Sequence, residues 1–388
     1  MKILMASHSP DNPNGGASRV FHLLAGGLED LGHDVTLLHL EDLPVPRQRH
    51  ARLLAERLAM PQLLSRGAQA RDPLGYDVVL SASGMAYPLF KKLRPLANRP
   101  LLVNLVHGLY MYDHAAYMSE SLLGHWKVSA QYRAVSGPIQ VRWDAQGIRW
   151  ADKTVVQNLR DVSQAREMRA DWNDIVMIPP AIHPELLAAS ESVADVATRS
   201  PATLLWFGTW EARKGAHHLP AAFRAVRAEH PEATLTMGGT GQSQQQLRGL
   251  FAPEDRESVT VLPRLSVAEQ IAIFNTSSIF LFPSLSEGFG LALAEAMCFG
   301  LAAVTTSTAF GGDFLHDGES ARVVHPSSAH LSRAVIELLD DPDRRVAIAQ
   351  RGREIARSFT VARSAGGYER LFLESIAERP VRRERGAR

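Results

Sequence analysis

The sequence predicts an α/β protein with two doubly wound, parallel-sheet domains of the Rossmann-like type that face each other across a cleft. Short apolar strands alternate with amphipathic helices along the chain, and near-continuous apolar strands are typical of parallel sheets covered by helices on both faces. A small, polar segment interrupts the alternation, which then begins again, and this indicates a linker between two units. A chain of 388 residues is long enough for both.

The first predicted domain covers residues 1–184. The strand KILMAS is followed by a glycine-containing loop and by a helix from about Gly16 to Leu31. Further strands are predicted at VTLLHL, DVVLSAS, PLLVNLVHG, TVVQN and IVMIPPA, with helical stretches between them. The segment HPELLAASESVADVATRS is the predicted linker.

The second predicted domain covers residues 185–361 and repeats the same pattern. Strands are predicted at TLLWFG, ATLTMGG, SVTVLP, SIFLFPS, LAAVTTS and ARVVHP, and helices from Lys214 to about Glu229 and from about Val267. Ligands of such sheets bind at the carboxyl ends of the strands. The cleft between the two domains is therefore the expected binding site.

The composition argues against several classes of protein. A net charge of +1 gives no electrostatic reason to expect nucleic-acid binding, and a single cysteine excludes a disulfide within the chain. The amino terminus becomes polar too early for a signal peptide, and no apolar run approaches the ~20 residues of a transmembrane helix. We therefore expect a cytoplasmic protein.

The arginine-rich end RPVRRERGAR is interpreted as a solvated tail, the alternative being peripheral contact with anionic lipid at the inner membrane face. The oligomeric state is left open.

Two glutamates, Glu287 and Glu295, are separated by seven residues around a Gly-Phe-Gly turn between a strand and a helix. Gly288 and Gly290 allow a sharp turn and a close approach of the backbone to a ligand, and a helix start suits a phosphate group. Carboxylates at these positions can accept paired hydrogen bonds from sugar hydroxyls. The alternative is that Glu287 caps the helix and Glu295 lies on its solvent face.

Two further segments place polar or flexible residues at predicted strand ends. In FGTWEARKG, Arg213 and Lys214 can clamp a diphosphate and stabilise its departing charge, the alternative being a solvated first helical turn. Gly15 and Gly16 lie in the first strand-to-helix loop, another position of close approach. This loop is not G-x-G-x-x-G, and no acidic residue follows at the expected place, which argues against a dinucleotide cofactor.

His107 ends the predicted strand LLVNLVH and is expected to face the cleft, where it can hydrogen-bond a sugar hydroxyl or a phosphate. The alternative is a structural histidine in the core. No metal site is predicted, because the D-x-D sequence at Asp341–Asp343 lies at a proline-broken helix end and is interpreted as a solvated turn.

Together these motifs resemble the family 4 retaining glycosyltransferases of the GT-B fold, over nearly the whole chain. Glu287 and Glu295, in SEGFGLALAEAM, match the E-x7-E motif of that family. Lys214 falls on its diphosphate-binding lysine, Gly16 on its glycine loop, and His107 on the histidine near the transferred sugar.

The resemblance implies a nucleotide-diphosphate sugar as donor, with the second domain holding the nucleotide and with no metal or other cofactor. Glu295 would bind the ribose, Glu287 the hexose, and Lys214 the leaving diphosphate. Retention would proceed by front-face attack of the acceptor without a protein nucleophile. The segment 362–388 would cross back onto the first domain. The remaining implied donor contacts, through backbone groups or by position, are Gly15, Gly16, Arg213, Arg264, Leu265, Gly288, Phe289, Gly290 and Leu291.

The sequence departs from the family pattern at a few positions. Thr209 stands where the family usually has an arginine that helps bind the diphosphate, and Arg213 is the nearest basic residue that can compensate. The interdomain sequence IPPAIH, residues 178–183, also differs from the sequence usual in the family. Asn158 stands where the family commonly has a serine.

The acceptor site is expected on the first domain, where residues 110–150 are rich in aromatic and basic side chains. Aromatic faces suit sugar rings, and basic groups suit a carboxylate or a lipid phosphate. The predicted acceptor contacts are Tyr110, Tyr112, Trp126 and Arg133. The alternative is that the aromatic residues simply pack inward.

The sequence therefore favours a hexosyltransferase that acts on a hydroxyl-bearing acceptor, whether a glycan, a lipid-linked sugar or a small molecule. A nucleotide-sugar 2-epimerase on the same fold and a catalytically weak sugar-nucleotide-binding protein are the alternatives. The epimerase would interconvert sugars without an acceptor. The binding protein would retain donor affinity without turnover.

Overall fold

The computed structural model of the protein describes residues 1–13, 15–46, 48–168, 174–193 and 199–379. These residues form two six-stranded sheets in which every strand pairing is parallel. Helices lie between successive strands along the chain. The predicted α/β class with two doubly wound parallel sheets is confirmed.

The first sheet contains all six strands predicted for the amino-terminal half. Its strands are β1 (Lys2–Ala6), β2 (Asp34–Leu38), β3 (Val78–Ala82), β4 (Leu101–Leu105), β5 (Lys153–Val156) and β6 (Ile175–Met177). Its helices are α1 (Gly16–Asp30), α2 (Arg49–Leu58), α3 (Met60–Gln69), α4 (Tyr87–Leu93), α5 (Tyr110–Leu122), α6 (Gly137–Trp150) and α7 (Leu159–Glu167). A helix α8 (Pro184–Ala189) follows the last strand.

The second sheet contains the six strands predicted for the carboxyl-terminal half. They are β7 (Thr203–Phe207), β8 (Thr234–Gly238), β9 (Val259–Leu262), β10 (Ile279–Phe282), β11 (Ala302–Thr305) and β12 (Arg322–Val323). The helices are α9 (Leu219–Glu229), α10 (Gln244–Arg248), α11 (Val267–Thr276), α12 (Leu291–Cys298), α13 (Phe310–Asp313), α14 (Ser328–Asp340), α15 (Pro342–Ala356) and α16 (Val361–Ala377). Strands such as β10, in which every residue is buried, are apolar throughout because helices cover both faces of the sheet.

Strand order places one topological switch point in each sheet. The second sheet runs β9-β8-β7-β10-β11-β12, so the order reverses between β7 and β10. The first sheet runs β2-β1-β3-β4-β5-β6 and reverses between β1 and β3. Ligands of open α/β sheets bind beyond the carboxyl ends of the strands at such points. The segments that carry Lys214 and Glu287 follow β7 and β10, and the Gly16 loop follows β1.

The last helix, α16, returns from the second sheet to pack on the first. A Cβ added to Gly27 of α1 would lie 2.6 Å from Val361 Cγ1 and 2.8 Å from Ala365 Cβ, so glycine allows α1 and α16 to approach closely. Tyr368 and Phe372 of α16 are buried in the core of the first sheet. Burial of each aromatic side chain typically contributes about 2–3 kcal/mol, so α16 ties the two halves of the chain together.

Two local predictions were wrong. The helix expected from Lys214 begins at Leu219, and two short 3-10 turns, Ala212–Lys214 and Ala216–His218, precede it. Gly215 separates them with a φ of 62°, and a Cβ there would lie 1.9 Å from the carbonyl oxygen of Pro283. Only glycine fits this left-handed, tightly packed position.

The predicted linker is also partly helical, because α8 begins within it at Pro184, where proline is well suited to a first helical turn. Linker residues 194–198 and tail residues 380–388 lie outside the described residues. No helix within the described ranges is long and apolar enough to cross a membrane.

Candidate active site in the interdomain cleft

A cleft of about 450 Å³ lies between the two sheets, at the carboxyl ends of their strands. Most of the residues predicted to bind a donor contribute to its wall, together with Thr209. The predicted residues that line it are Gly16, His107, Arg213, Lys214, Leu265, Glu287, Gly288, Phe289, Gly290, Leu291 and Glu295. Arg264 is exposed and is not part of the wall, and Gly15 lies just outside it as the residue before α1.

Gly288 marks the point where the backbones of the two domains touch. A Cβ on Gly288 would lie 1.9 Å from the carbonyl oxygen of His107, and a Cβ on Gly108 would lie 2.9 Å from Gly288 Cα. The side chain of Asn158, at the start of α7, donates a 2.7 Å hydrogen bond from Nδ2 to the carbonyl oxygen of Gly288. The structure therefore has a closed arrangement in which the loop after β10 reaches the first domain.

Lys214 and Glu287 form a buried ion pair at the switch point between β7 and β10. Lys214 Nζ donates to Glu287 Oε1 at 2.7 Å and to Oε2 at 2.9 Å, and Ser284 Oγ donates to Oε1 at 2.7 Å. Burial alone would raise the pKa of Glu287, but the charges of Lys214 and Arg213 outweigh it and hold that pKa below its usual value. Burial lowers the pKa of Lys214 although Glu287 opposes this. Helix capping by Glu287, the alternative interpretation, is not the contact that the structure shows.

Glu295 is buried inside α12 and does not lie on its solvent face, so that alternative interpretation was wrong. Only 1% of its side chain is exposed, and Arg19 Nη2 of α1 lies 2.7 Å from its Oε1. Gln270 Nε2 of α11 donates a 3.1 Å hydrogen bond to Oε2. Burial raises the pKa of Glu295, opposed by the positive charge of Arg19.

Sequence analysis missed both Arg19 and Gln270 as partners of Glu295. Arg19 lies one turn after Gly16 in a helix that starts at a strand end, and this position was the signal available in the sequence. The contact itself joins the first domain to the second.

His107 lines the cleft next to Phe21 and is half-buried. Its Nδ1 lies 3.4 Å from Gln157 Nε2, and its ring centroid is 5.7 Å from that of Phe21. Its Nε2 has no hydrogen-bond partner among the described residues. Burial, together with the nearby His8, lowers the pKa of His107 to about 4, so the imidazole is neutral near pH 7. A neutral ring with one free nitrogen can hydrogen-bond a hydroxyl that enters the cleft.

Arg213 is surrounded by carboxylates. Its Nε lies 2.9 Å from Glu211 Oε2 and 3.6 Å from Asp113 Oδ2, and its Nη1 lies 3.6 Å from Glu287 Oε2. Burial alone would lower the pKa of Arg213, but these carboxylates raise it, so the guanidinium is always charged. Asp113, which sequence analysis missed, belongs to α5 and also accepts a 2.6 Å hydrogen bond from Ser286 Oγ. Arg213 is therefore held by both domains.

Helix starts from both domains contribute to the cleft. Gly16 is the first residue of α1, and a Cβ there would meet no atom within 4 Å, which leaves room for a ligand. Gly290 precedes α12 with a φ of 100°. The first N–H groups of each helix have no intrahelical partner, and the helix dipole adds partial positive charge. Two such ends suit an anionic group such as a diphosphate.

The predicted acceptor residues do not converge on one point. Tyr110 Oη donates to Tyr132 Oη at 3.3 Å, and the Arg160 guanidinium stacks 3.5 Å from the centre of the Tyr112 ring. The Trp126 ring packs at 6.2 Å from that of Trp210 in the second domain. Arg133, the fourth of these residues, is exposed near Ser121. None of the four lines the cleft.

Comparison with known proteins gives matches over both halves of the chain. Residues 14–186 match Glycosyltransferase Family 4, and residues 194–355 match Glycosyl transferases group 1. Glycogen synthase from Mycobacterium tuberculosis is 34% identical over 160 residues, which is 40% of this chain and only 37% of that protein. Phosphatidyl-myo-inositol mannosyltransferase from Mycobacterium leprae is 25% identical over 369 residues, 87% of this chain and 94% of that protein.

Solved structures share the whole architecture at low sequence identity. Sucrose-phosphate synthase from Thermosynechococcus elongatus superposes with a TM-score of 0.74 at 18% identity, covering 98% of this chain and 100% of that chain. HepE from Anabaena, in complex with UDP-glucose, gives a TM-score of 0.67 at 15% identity, covering 96% and 100%. At these identities the likeness shows the fold alone.

Two Rossmann-like domains that meet at a cleft, with cationic and carboxylate side chains at the switch point, define a protein of the GT-B class. The chain belongs to glycosyltransferase family 4 within that class, because the two domain families together match residues 14–186 and 194–355.

Proposed function

We propose that the protein is a retaining hexosyltransferase that moves a hexose-type sugar from a nucleotide-diphosphate sugar to a hydroxyl acceptor. The observation that carries the proposal is the buried Lys214–Glu287 pair, with contacts of 2.7 and 2.9 Å, at the switch point of the second sheet. It joins a cation suited to a diphosphate to a carboxylate suited to sugar hydroxyls.

The donor would lie across the loop after β10. Its diphosphate would meet Lys214 and the start of α12, where positive charge is already in place. Glu287 Oε1 accepts from both Ser284 and Lys214, whereas Oε2 accepts only from Lys214 among the described hydrogen bonds. A carboxylate oxygen can accept two hydrogen bonds, so Oε2 can also accept from a hexose hydroxyl.

The nucleotide would extend toward Glu295, whose carboxylate can accept hydrogen bonds from a ribose diol. Because Arg19 pairs with Glu295 at 2.7 Å, the ribose would have to share this carboxylate with Arg19 or displace it. Leu265, in the cleft wall near α11, is the candidate contact for the base.

In the reaction, the bond between the anomeric carbon and the phosphate oxygen breaks while the acceptor oxygen forms a bond on the same face. The acceptor's proton passes to the departing phosphate oxygen. Lys214 and the two helix starts stabilise the negative charge that develops on the diphosphate. Loss of one such interaction typically costs ~3 kcal/mol, or ~100-fold in rate. This chemistry needs neither a metal ion nor a protein nucleophile.

His107 would contact the transferred sugar. Its neutral ring can donate or accept one hydrogen bond through Nε2, which has no partner among the described residues. The sugar would thereby be fixed relative to the acceptor, and the correct orientation of reacting groups contributes strongly to rate.

The proposal is tested with a panel of uridine, guanosine, adenosine and thymidine diphosphate sugars, scored for binding and for slow hydrolysis. We expect one nucleotide to bind and to be hydrolysed at a rate that chelators leave unchanged. Failure of the whole panel to bind would overturn the proposal. Abolition of turnover by a chelator would overturn its metal-independence.

A catalytically weak sugar-nucleotide-binding protein is the second candidate. It is favoured by Thr209 in the cleft wall and by the carboxylates that surround Arg213, since both reduce the cationic side chains free to meet a diphosphate. Donor binding without hydrolysis or transfer in the same panel would support it. Interconversion of sugars without an acceptor would instead support an epimerase.

A further inference from the structure

Outside the cleft, a cluster of three histidines surrounds one carboxylate where the two domains meet. Glu120 lies near the end of α5, and His125 follows in the next loop. His217 and His218 belong to the 3-10 turn Ala216–His218 of the second domain. Glu120 Oε2 lies 2.7 Å from His217 Nε2 and 2.8 Å from His125 Nδ1. The ring centroids of His217 and His218 are 4.1 Å apart.

The charge of Glu120 has no strong basic partner in the described part of the chain. Glu120 is only 5% exposed, and the two ion pairs of its carboxylate involve imidazole rings. A buried carboxylate is costly unless a positive charge balances it. Lys214 and Arg213, the nearby cations of the second domain, make their ion pairs with other carboxylates.

We propose that Glu120, His217 and His218, with His125 as a fourth ligand, bind a divalent transition-metal ion of the zinc type that joins the two domains. Glu120, His217 and His218 each offer one ligand atom, and these three atoms already lie within 4.8 Å of one another. Zn²⁺ sits about 2.0–2.2 Å from imidazole nitrogen and carboxylate oxygen, usually with four ligands. Three nitrogens and one oxygen are a ligand set that suits zinc.

The position of the cluster gives the metal a structural role, separate from the chemistry in the cleft. Asp113 and Glu120 lie seven residues apart on α5, so both face the same side of the helix. Asp113 contacts Arg213, and Glu120 contacts His217, four residues further along the second-domain chain. A metal at Glu120 would therefore fix the far end of the same helix against the turn that follows Lys214, and none of its ligands lines the cleft.

The inference does not depend on the proposed reaction, because its test measures metal binding and not turnover. Full-length protein is first stripped with a chelator and then titrated with Co²⁺, followed by visible absorption, and with Zn²⁺, followed by calorimetry. We expect about one equivalent to bind here, with the absorption of a four-coordinate Co²⁺ site, and Zn²⁺ to raise the thermal midpoint.

Single variants Glu120→Gln, His217→Gln and His218→Gln should each weaken Zn²⁺ binding at least tenfold. Circular dichroism of each metal-free variant verifies that it is folded. The matched control is His22→Gln. His22, His39 and Asp11 form a second cluster of candidate ligand atoms, far along the chain from the first. The control separates binding at the domain junction from binding at that cluster, and it should leave the Co²⁺ spectrum of the first site intact.

Three results would overturn the inference. The first is wild-type Zn²⁺ affinity in all three variants of the junction, and the second is loss of binding in His22→Gln alone. The third is the absence of any Co²⁺ or Zn²⁺ binding by the stripped protein.

Discussion

Arg19 of the first domain and Glu295 of the second form an ion pair with 2.7 Å between Nη2 and Oε1, and both side chains are almost completely buried. The pair connects a helix start of one sheet with a helix of the other. Because Glu295 is also the proposed ribose ligand, the same carboxylate would serve both domain closure and donor binding.

Arg19→Ala should destabilise the protein, because it leaves a buried carboxylate without its cation. Breaking a buried ion pair typically costs about 3–5 kcal/mol. We expect a fall of several degrees in the thermal midpoint, measured by calorimetry at pH 7.5. Glu295→Gln in the same chain removes the unpaired charge, so the double variant should be less destabilised than the sum of the two single changes. Strict additivity would show that the two residues are not coupled in solution.

Lys214→Ala should lower turnover by ~100-fold or more while the fold is retained, since it removes the cation that stabilises the departing diphosphate. The measurement is the rate of donor hydrolysis or transfer with the nucleotide sugar that the panel identifies. Lys92→Ala is the matched control, because Lys92 is exposed on α4 and contacts Gln69. Equal rates in the Lys214 variant and the wild type would remove Lys214 from the mechanism.

Glu287→Gln should also lower turnover by about two orders of magnitude, for a different reason. The amide keeps the size of the side chain but loses the charge that holds Lys214 in place through contacts of 2.7 and 2.9 Å. Kinetics should show a fall in kcat together with a higher KM for the donor, because Glu287 is proposed to contact the hexose in the ground state as well. An unchanged KM would argue against that hexose contact.

Stability should fall as the pH drops from about 6.5 to 4, in part because of His107. Burial and the neighbouring His8 lower the pKa of His107 to about 4, below the ordinary value of 6.5. The unfolded state therefore binds more protons than the folded state in this window. The contribution of neutral His107 to the free energy of unfolding is complete above pH 6.5 and is lost on acidification.

His107→Gln should lose less stability than the wild type between pH 7.5 and pH 5, as measured by the thermal midpoint at each pH. His316→Gln, at an exposed position on the second domain, should retain the wild-type pH dependence. An identical pH dependence in the His107 variant and the wild type would show that the pKa of His107 is not lowered in the folded protein.

Sequence could predict the twelve strands, because buried parallel strands are apolar throughout and end abruptly in polar or glycine residues. For the same reason it could place Lys214, Glu287 and His107 at strand ends. The contacts that site residues make across the domain boundary could not be predicted. Arg19–Glu295 and Asp113–Arg213 each join the two domains, and such pairs depend on the relative orientation of the domains, which no local pattern encodes. The late start of α9 was missed because the constraint on Gly215 comes from Pro283, a residue distant in sequence.

Gly288→Ala should impair closure of the cleft, because the new Cβ would lie 1.9 Å from the carbonyl oxygen of His107 and 2.9 Å from Gly108 N. Both neighbours are backbone atoms of the first domain, so the clash can be relieved only by moving the loop or separating the domains. We expect a strong fall in kcat with a small change in the thermal midpoint, and a larger radius of gyration in solution scattering.

Gly366→Ala is the control for this substitution, since a Cβ at Gly366 in α16 meets no atom within 4 Å. It should be as active as the wild type and slightly more stable, because alanine is favoured over glycine inside a helix by about 1 kcal/mol. If Gly288→Ala keeps wild-type kcat and compactness, the contact between Gly288 and His107 is not part of the catalytically competent arrangement. Reduced kcat with an unchanged radius of gyration would instead place the effect in the loop that carries Glu287, without domain opening.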